Sequence, residues 1–459
     1  MSFPRLRFEQ VVISSPGPAS TLHLADHPRR KTGKSKLGCR ECKAKRVKCD
    51  ESYPTCKRCL RQGLVCSSVP RLAQWQFETP WLSLQPKTIV NRRLLQYWLE
   101  KASQMLVIDP ENNPYSFPAL EYVPQSSALL HAIQSLSASH EQYFPAHASI
   151  IALEERGKAL VCLRKEMDQS HHTPQAFLLT TGLLTLAQGA DYDANDYGKQ
   201  HLFAARTLIS EMLQDTSTLN ESVVWLCLGM YLYWDMCSAF LIDPGEPHGL
   251  YYPFNISIAV HRMGDWHHPM YGTCTGLLFI LANVGRFCRQ VLDSQQHRNL
   301  TQEATLEHQL YTWNTRPLNV DLGHLYEAFR KHGLIFLYRA GAQNSSRFTN
   351  QDLSQGQESL IQQYAEETVR HLIQIPANSN YLNFQSLPLL AAGSELTEFN
   401  HLLRDQVRER LRAIYSLNRL PANLQALRLL EELWDARDNG HPSFWLYHML
   451  QKDWRLLLG

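Results

Sequence analysis

Residues 39–66 read CRECKAKRVKCDESYPTCKRCLRQGLVC. Six of the eleven cysteines of the chain fall in this stretch, at positions 39, 42, 49, 56, 59 and 66. The spacing is C-x2-C-x6-C, six residues, then C-x2-C-x6-C again, so one half-motif is written twice. Zinc takes four ligands, commonly thiolates at the corners of a tetrahedron. A single zinc would use four of the sulfurs and leave a pair over, breaking the symmetry of the repeat. Two zincs need eight ligand positions, and six sulfurs supply eight only if two of them bridge. The equivalent first cysteines of the halves, Cys39 and Cys56, each open a helical turn whose next ligand lies three residues on. They are therefore the expected bridges, giving one zinc to Cys39, Cys42, Cys49 and Cys56 and the other to Cys39, Cys56, Cys59 and Cys66.

Three other uses of six cysteines compete. A disulfide framework suits a small secreted module, but Pro4, Arg5, Arg7, Glu9 and Pro16 interrupt any apolar leader at the start, and a long globular sequence follows. Two separate mononuclear zinc sites would need eight ligands, and residues 39–66 contain no histidine. An iron–sulfur cluster uses four cysteines and ignores the duplication. The two-zinc cluster is the reading that uses every sulfur.

Charge is uneven along the chain. The overall balance is +2, but residues 27–66 carry 13 Lys or Arg against Glu41, Asp50 and Glu51, a net +10. Residues 67–459 carry a net −8. A short basic head on an acidic body points to a polyanion as partner of the head. Between the second and third cysteines lie Lys43, Lys45, Arg46 and Lys48, expected to fan outward from a short helix running from Arg40 to about Val47 while Cys39 and Cys42 face the metal. Such cations offset the negative charge of six thiolates around two Zn2+. The functional reading is that the helix end enters a major groove, where Lys and Arg donate to the O6 and N7 acceptors of guanine.

The stretch resembles the fungal zinc binuclear cluster transcription factors, down to Pro54 two residues before the fourth cysteine. The resemblance implies two bridging thiolates, binding to double-stranded DNA, and contact of Lys45 and Arg46 with the bases of a CGG-type triplet. It leaves Arg40, Lys43, Lys48, Lys57, Arg58 and Arg61 as phosphate contacts, which fix register without reading sequence. It also implies a nuclear regulator of RNA polymerase II genes that engages the transcription machinery and controls a metabolic or biosynthetic gene cluster. Upstream, HPRRKTGKSK at residues 27–36 carries five cations and no acid, as a nuclear import signal or a DNA backbone arm would.

After Cys66, Pro70, Pro80 and Pro86 exclude a long helix, so no coiled coil directly follows the cluster. A homodimer would then have to form through the helical body. From about residue 90 apolar residues recur at helical spacing, as in Leu94, Leu95, Trp98, Leu99, Ala102 and Met105. Strand-like alternation is scarce. The expected organisation is a disordered basic segment (1–36), the zinc-stapled cluster with two short helices (37–68), a proline-containing linker (69–89) and a large all-α regulatory domain (90–459).

Helices are expected at 128–141, 148–165, 176–188, 200–213, 221–237, 275–289, 321–337, 359–375, 398–415, 422–434 and 444–457. The body resembles the second fungal-specific transcription factor domain, on LLQYWLEKASQML, LLHAIQSLSASH, LPLLAAGSELT and LEELWDARDNG. That resemblance implies a regulatory module without catalysis, and no G-x-S-x-G, H-E-x-x-H or Walker loop is present. The competing expectation is an enzyme or metabolite-binding helical protein tethered to DNA by the zinc head. The longest apolar run, Val223 to Trp234, stops at Asp235, too short for a bilayer, and the protein is expected to have no membrane partner. Cys162, Cys227, Cys237, Cys274 and Cys288 are expected to be structural thiols, and His171–His172 and His267–His268 to lie in polar loops without a metal.

Overall fold

In the computed structural model the described residues are 38–52, 54–67, 90–141, 145–168, 173–189, 197–214, 222–246, 254–293, 298–345, 351–441 and 443–459. The basic segment upstream, the linker and His171–His172 fall outside them. Two five-residue helices, α1 (Arg40–Ala44) and α2 (Lys57–Arg61), build the head. The body is helical from α3 (Arg92–Glu100) onward: α4 (Phe117–Leu120), α5 (Ser127–His140), α6 (Pro145–Met167), α7 (Pro174–Gly189), α8 (Lys199–Met212), α9 (Ser222–Ser238), α10 (Phe254–Met263) and α11 (Thr275–Asp293). It continues through α12 (Leu300–Thr312), α13 (Val320–Ser345), α14 (Gln351–Gln374), α15 (Ser386–Gly393), α16 (His401–Asn418), α17 (Ala422–Asp438) and α18 (Trp445–Gln451). Among the described residues there is no strand, only an isolated antiparallel bridge between His268 and Gly272. The all-α expectation holds.

Consecutive helices pack on one another: α5 against α6 and α7, α7 against α8 and α9, then α9 on α11, α11 on α13 and α13 on α14. The resulting core is continuous, with Trp98, Trp434, Trp445, Tyr115, Tyr231 and Phe240 fully buried. Two of these indoles donate to backbone carbonyls, Trp98 to Tyr115 at 2.8 Å and Trp434 to Gly393 at 2.7 Å. At Gly182 a Cβ would lie 1.8 Å from the Trp234 ring, so only glycine lets α7 approach α9 over that indole.

Several expectations are corrected. Asp235 interrupts the apolar run within α9, the helix expected at 221–237, without ending its apolar character. It is buried with Arg286, its carboxylate accepting from the guanidinium, so the charge is neutralised within the core. The apolar stretch Ser222–Leu241 is therefore long enough, by length and composition, to cross a bilayer, yet 83% of its apolar window is buried inside the molecule. Helices α10 and α12 were not expected at all, and the last helix is only α18, followed by an extended tail whose Leu456, Leu457 and Leu458 are buried. The α1 helix ends at Ala44, three residues earlier than expected. His268 is not in a polar loop: it is fully buried, stacked on Tyr271 at 4.3 Å, with Nε2 3.0 Å from the Leu226 carbonyl.

One buried charge network ties distant helices. Glu395, fully buried just after α15, accepts from Arg339 of α13 at 2.5 Å and Arg437 of α17 at 2.6 Å. Arg339 also reaches Glu358 of α14 at 2.8 Å. The motif LPLLAAGSELT thus supplies a fully buried acid that two largely buried guanidinium groups share, with Glu358 at their outer side.

Candidate metal centre and nucleic-acid interface

The six cysteines form a buried cluster separate from the main core. Each half starts the same way. Cys39 caps α1, its sulfur accepting from the Cys42 N–H at 3.5 Å, and Cys56 caps α2, accepting from Cys59 at 3.4 Å. The capping that begins each helix therefore also turns two cysteines inward. Cys49 and Cys66 complete the halves, taking backbone N–H groups of Glu51 at 3.3 Å and Cys56 at 3.4 Å.

Sulfur separations test whether zinc fits. A tetrahedral site with Zn–S near 2.3 Å has edges of about 3.8 Å. Cys39 and Cys56 are 3.7 Å apart, Cys42 is 3.7 Å from Cys56, and Cys39 is 3.8 Å from both Cys49 and Cys59. The first cysteine of each half thus touches the sulfur of the other and also the second cysteine of the opposite half. Burial pushes the thiols of Cys39 and Cys56 far up, and that of Cys59 up to about 11. Bound cations would oppose that push and favour these three as thiolates.

Carboxylates near the sulfurs are otherwise engaged. Glu41 Oε2 accepts from the Ser67 N–H and hydroxyl, both at 2.8 Å, while the Ser67 Oγ takes the Arg40 N–H at 2.6 Å. Asp50 accepts from the Lys57 N–H at 3.1 Å, capping α2 across the loop that contains the buried Pro54.

Both halves leave their helix through the same turn. After α1 the Val47 N–H reaches the Cys42 carbonyl at 3.1 Å and the Arg46 N–H reaches Lys43 at 3.0 Å. After α2 the Leu64 N–H reaches Cys59 at 2.9 Å and the Gly63 N–H reaches Leu60 at 3.1 Å. This double bonding requires a left-handed residue just past the cap. Gly63 fills it in the second half at φ 60°, and Arg46 fills it in the first at φ 53°. The early end of α1 thus has its cause in Arg46, whose backbone turns out of the helix and leaves Lys45, Arg46 and Val47 exposed at its tip.

Arg40, Lys43, Lys48, Lys57 and Arg61 are likewise exposed around this tip and along α2. Arg58 differs: it is half-buried, with Nη1 3.9 Å from the Cys42 sulfur, a position that offsets cluster charge.

The head is held to the body by its last cysteine. The Cys66 N–H donates to Ser416 Oγ at 3.1 Å, and Arg419 Nη1 donates to the Cys66 carbonyl at 3.1 Å. Both partners sit at the C-terminal end of α16, and a Cβ on Gly63 would lie 3.6 Å from the Arg412 guanidinium. Nothing in the spacing of the sequence announces a contact between residues 350 positions apart. Next to it His140 bridges Tyr97 Oη at 2.8 Å and the Leu417 carbonyl at 2.9 Å.

Comparison with known proteins decides the family. The family described as "Fungal specific transcription factor domain" matches residues 93–459. The chain belongs to the fungal specific transcription factor family. The head of this fungal transcription factor matches a second description, "Fungal Zn(2)-Cys(6) binuclear cluster domain", over residues 37–76, so it binds two zinc ions.

Among curated relatives, the Zn(2)-C6 fungal-type transcription factor afumD of Aspergillus fumigatus is 54% identical over 39 residues, 8% of this chain and 10% of that protein. A Zn(2)-C6 fungal-type transcription factor of Gibberella zeae is 49% identical over 39 residues, 8% of each chain. Sterol uptake control protein 2 of Saccharomyces cerevisiae is 51% identical over 37 residues, 8% of this chain and 4% of that protein. The matched stretch spans a tenth or less of each of these three relatives, and no solved structure matches. Both matched descriptions are of domains of fungal transcription factors.

Proposed function

We propose that the protein is a nuclear regulator that reads a CGG-type triplet with Lys45 and Arg46, through a head in which Cys39 and Cys56 each bridge both zincs. Cys42 and Cys49 complete the ligands of one ion, Cys59 and Cys66 those of the other. Zinc supplies the charge that keeps six buried sulfurs ionised. The chain supplies the shape, by presenting a helix tip whose outward side chains are cations. Arg40, Lys43, Lys48, Lys57 and Arg61 lie where phosphates would flank that tip, with Arg58 shared between the backbone and the cluster.

The observation that carries this reading is Arg46 in a left-handed conformation at the tip of α1, where the duplicated half has glycine. An L-residue there costs roughly 1–2 kcal/mol, a strain that a guanidinium aimed at a base edge would offset. Binding-site selection with Arg46→Ala tests it. The variant is expected to lose its triplet preference, and a variant that keeps the full CGG preference refutes the assignment.

We read the helical body as the regulatory module that positions this head, controls a metabolic or biosynthetic gene cluster and engages the transcription machinery at RNA polymerase II promoters. A homodimer on DNA would form through that body, because Pro70, Pro80 and Pro86 exclude a coiled coil directly behind the cluster.

A further inference from the structure

Helix α6 has two apolar faces. One carries Ala152, Ala159 and Leu163 into the body against α5, with Glu155 held there by His131 at 2.7 Å and Gln134 at 2.6 Å. The other faces solvent. Ile150, Leu153, Leu160, Val161 and Met167 are each between 43% and 62% exposed, and Gly157 in their midst would meet nothing within 4 Å if it carried a Cβ. Residues 150, 153, 157, 160, 164 and 167 alternate steps of three and four, the seam of a two-helix coil. A surface helix buries one stripe and solvates the rest, so this second stripe marks a contact surface.

We infer that α6 is the dimer interface, pairing antiparallel with α6 of a second copy of this chain. The inference rests on the homodimer reading above and names its surface. The sequence of the stripe selects the partner. In an antiparallel pair Gly157 of one copy lies opposite Leu160 of the other, Ile150 opposite Met167, and Leu153 opposite the aliphatic stem of Arg164, so the gap at Gly157 is filled by a leucine and every layer has an apolar partner.

A parallel pair would instead set Gly157 on Gly157, leaving a void, and Arg164 on Arg164, like charge on like. The antiparallel arrangement also brings exposed Glu154 of each copy beside exposed Lys165 of the other, twice by symmetry. One stripe on one helix is at the small end of specific interfaces, so the dimer is weak in solution and completed by DNA that engages both heads.

The test is sedimentation of the zinc-loaded full chain over a concentration series, with helicity and zinc content as controls. The wild type is expected to pass from monomer to dimer. Leu160→Asp should raise the dimer dissociation constant tenfold or more, Glu154→Lys should raise it about twofold, and Glu154→Lys with Lys165→Glu should restore it. A dimer that is indifferent to all three variants overturns the α6 assignment while leaving the homodimer reading in place. A wild type that stays monomeric at every concentration overturns the α6 assignment, and one that also sediments as a monomer on DNA carrying paired triplets overturns both.

Discussion

Replacing Arg46 by glycine separates what the residue does for the fold from what it does for DNA. Arg46 sits at φ 53° and donates to Lys43 at 3.0 Å, while the next N–H reaches Cys42 at 3.1 Å. The turn therefore needs a left-handed residue whichever side chain is present. Relief of that strain is worth roughly 1–2 kcal/mol, and the extra freedom of glycine in the unfolded chain takes back about 0.5–1 kcal/mol. Arg46→Gly should then stabilise the zinc-loaded head by about 0.5–1 kcal/mol, whereas Arg46→Ala keeps the strain and gains nothing. Loss of a bidentate guanine contact costs about 1–3 kcal/mol of discrimination, so both variants should lose roughly 5- to 150-fold in preference for CGG over a scrambled triplet. Denaturant titration of the head followed by chelator competition reads the first quantity, and paired binding isotherms read the second. If Arg46→Gly were less stable than Arg46→Ala, or kept its triplet preference, the argument from the left-handed turn would be wrong.

Lys57→Ala, whose backbone N–H but not side chain caps α2 on Asp50, should weaken all DNA sequences alike and lower the salt slope by about 0.9, as loss of one phosphate contact does; a changed sequence preference would contradict this. Arg419→Ala should leave the Cys66 carbonyl without its body partner, so amide exchange across residues 56–67 should quicken while zinc content holds; unchanged exchange would mean that α16 does not restrain the head. Glu395→Ala, which leaves Arg339 and Arg437 to Glu358 alone, should destabilise the body by about 1–3 kcal/mol, read as a shift in urea midpoint with triplet preference intact. Burial holds His140 down at about 4, His268 at about 3 and His332 at about 4, against 6.5 in the unfolded chain. The unfolded state therefore takes up protons first, and body stability, full above pH 6.5, should fall by up to about 4 kcal/mol per pH unit as pH drops toward 4. A urea midpoint that stays flat between pH 7.5 and 5.5 would show these imidazoles to be accessible.

The head was legible because metal chemistry is written in residue spacing. Six cysteines in duplicate leave few ways to satisfy two tetrahedra, and the sulfurs lie at tetrahedral edge lengths. Its one local error, the run of α1 to about Val47, came from treating Arg46 as an ordinary helix former. The signal was present: sliding the second half onto the first places Gly63 on Arg46, and glycine after a helix marks a left-handed cap.

In the body, periodicity found the amphipathic helices and missed what depends on distant partners. Asp235 reads as the end of an apolar run until Arg286, 51 residues away, neutralises it. Helix α15 is apolar on all sides and eight residues long, so it has no period to detect. His268 looks polar in sequence and is buried by a ring stacked on its face. The clasp between Cys66 and α16 joins residues that no local pattern links.

The central claim is that two metal ions share the sulfurs of Cys39 and Cys56. Cadmium-substituted protein observed by cadmium NMR with correlation to cysteine β-protons tests it most directly. Two cadmium signals per chain, both correlated to the β-protons of Cys39 and Cys56 and each to one further pair of cysteines, are the expected result. A single signal, or two signals with no cysteine in common, would contradict the account.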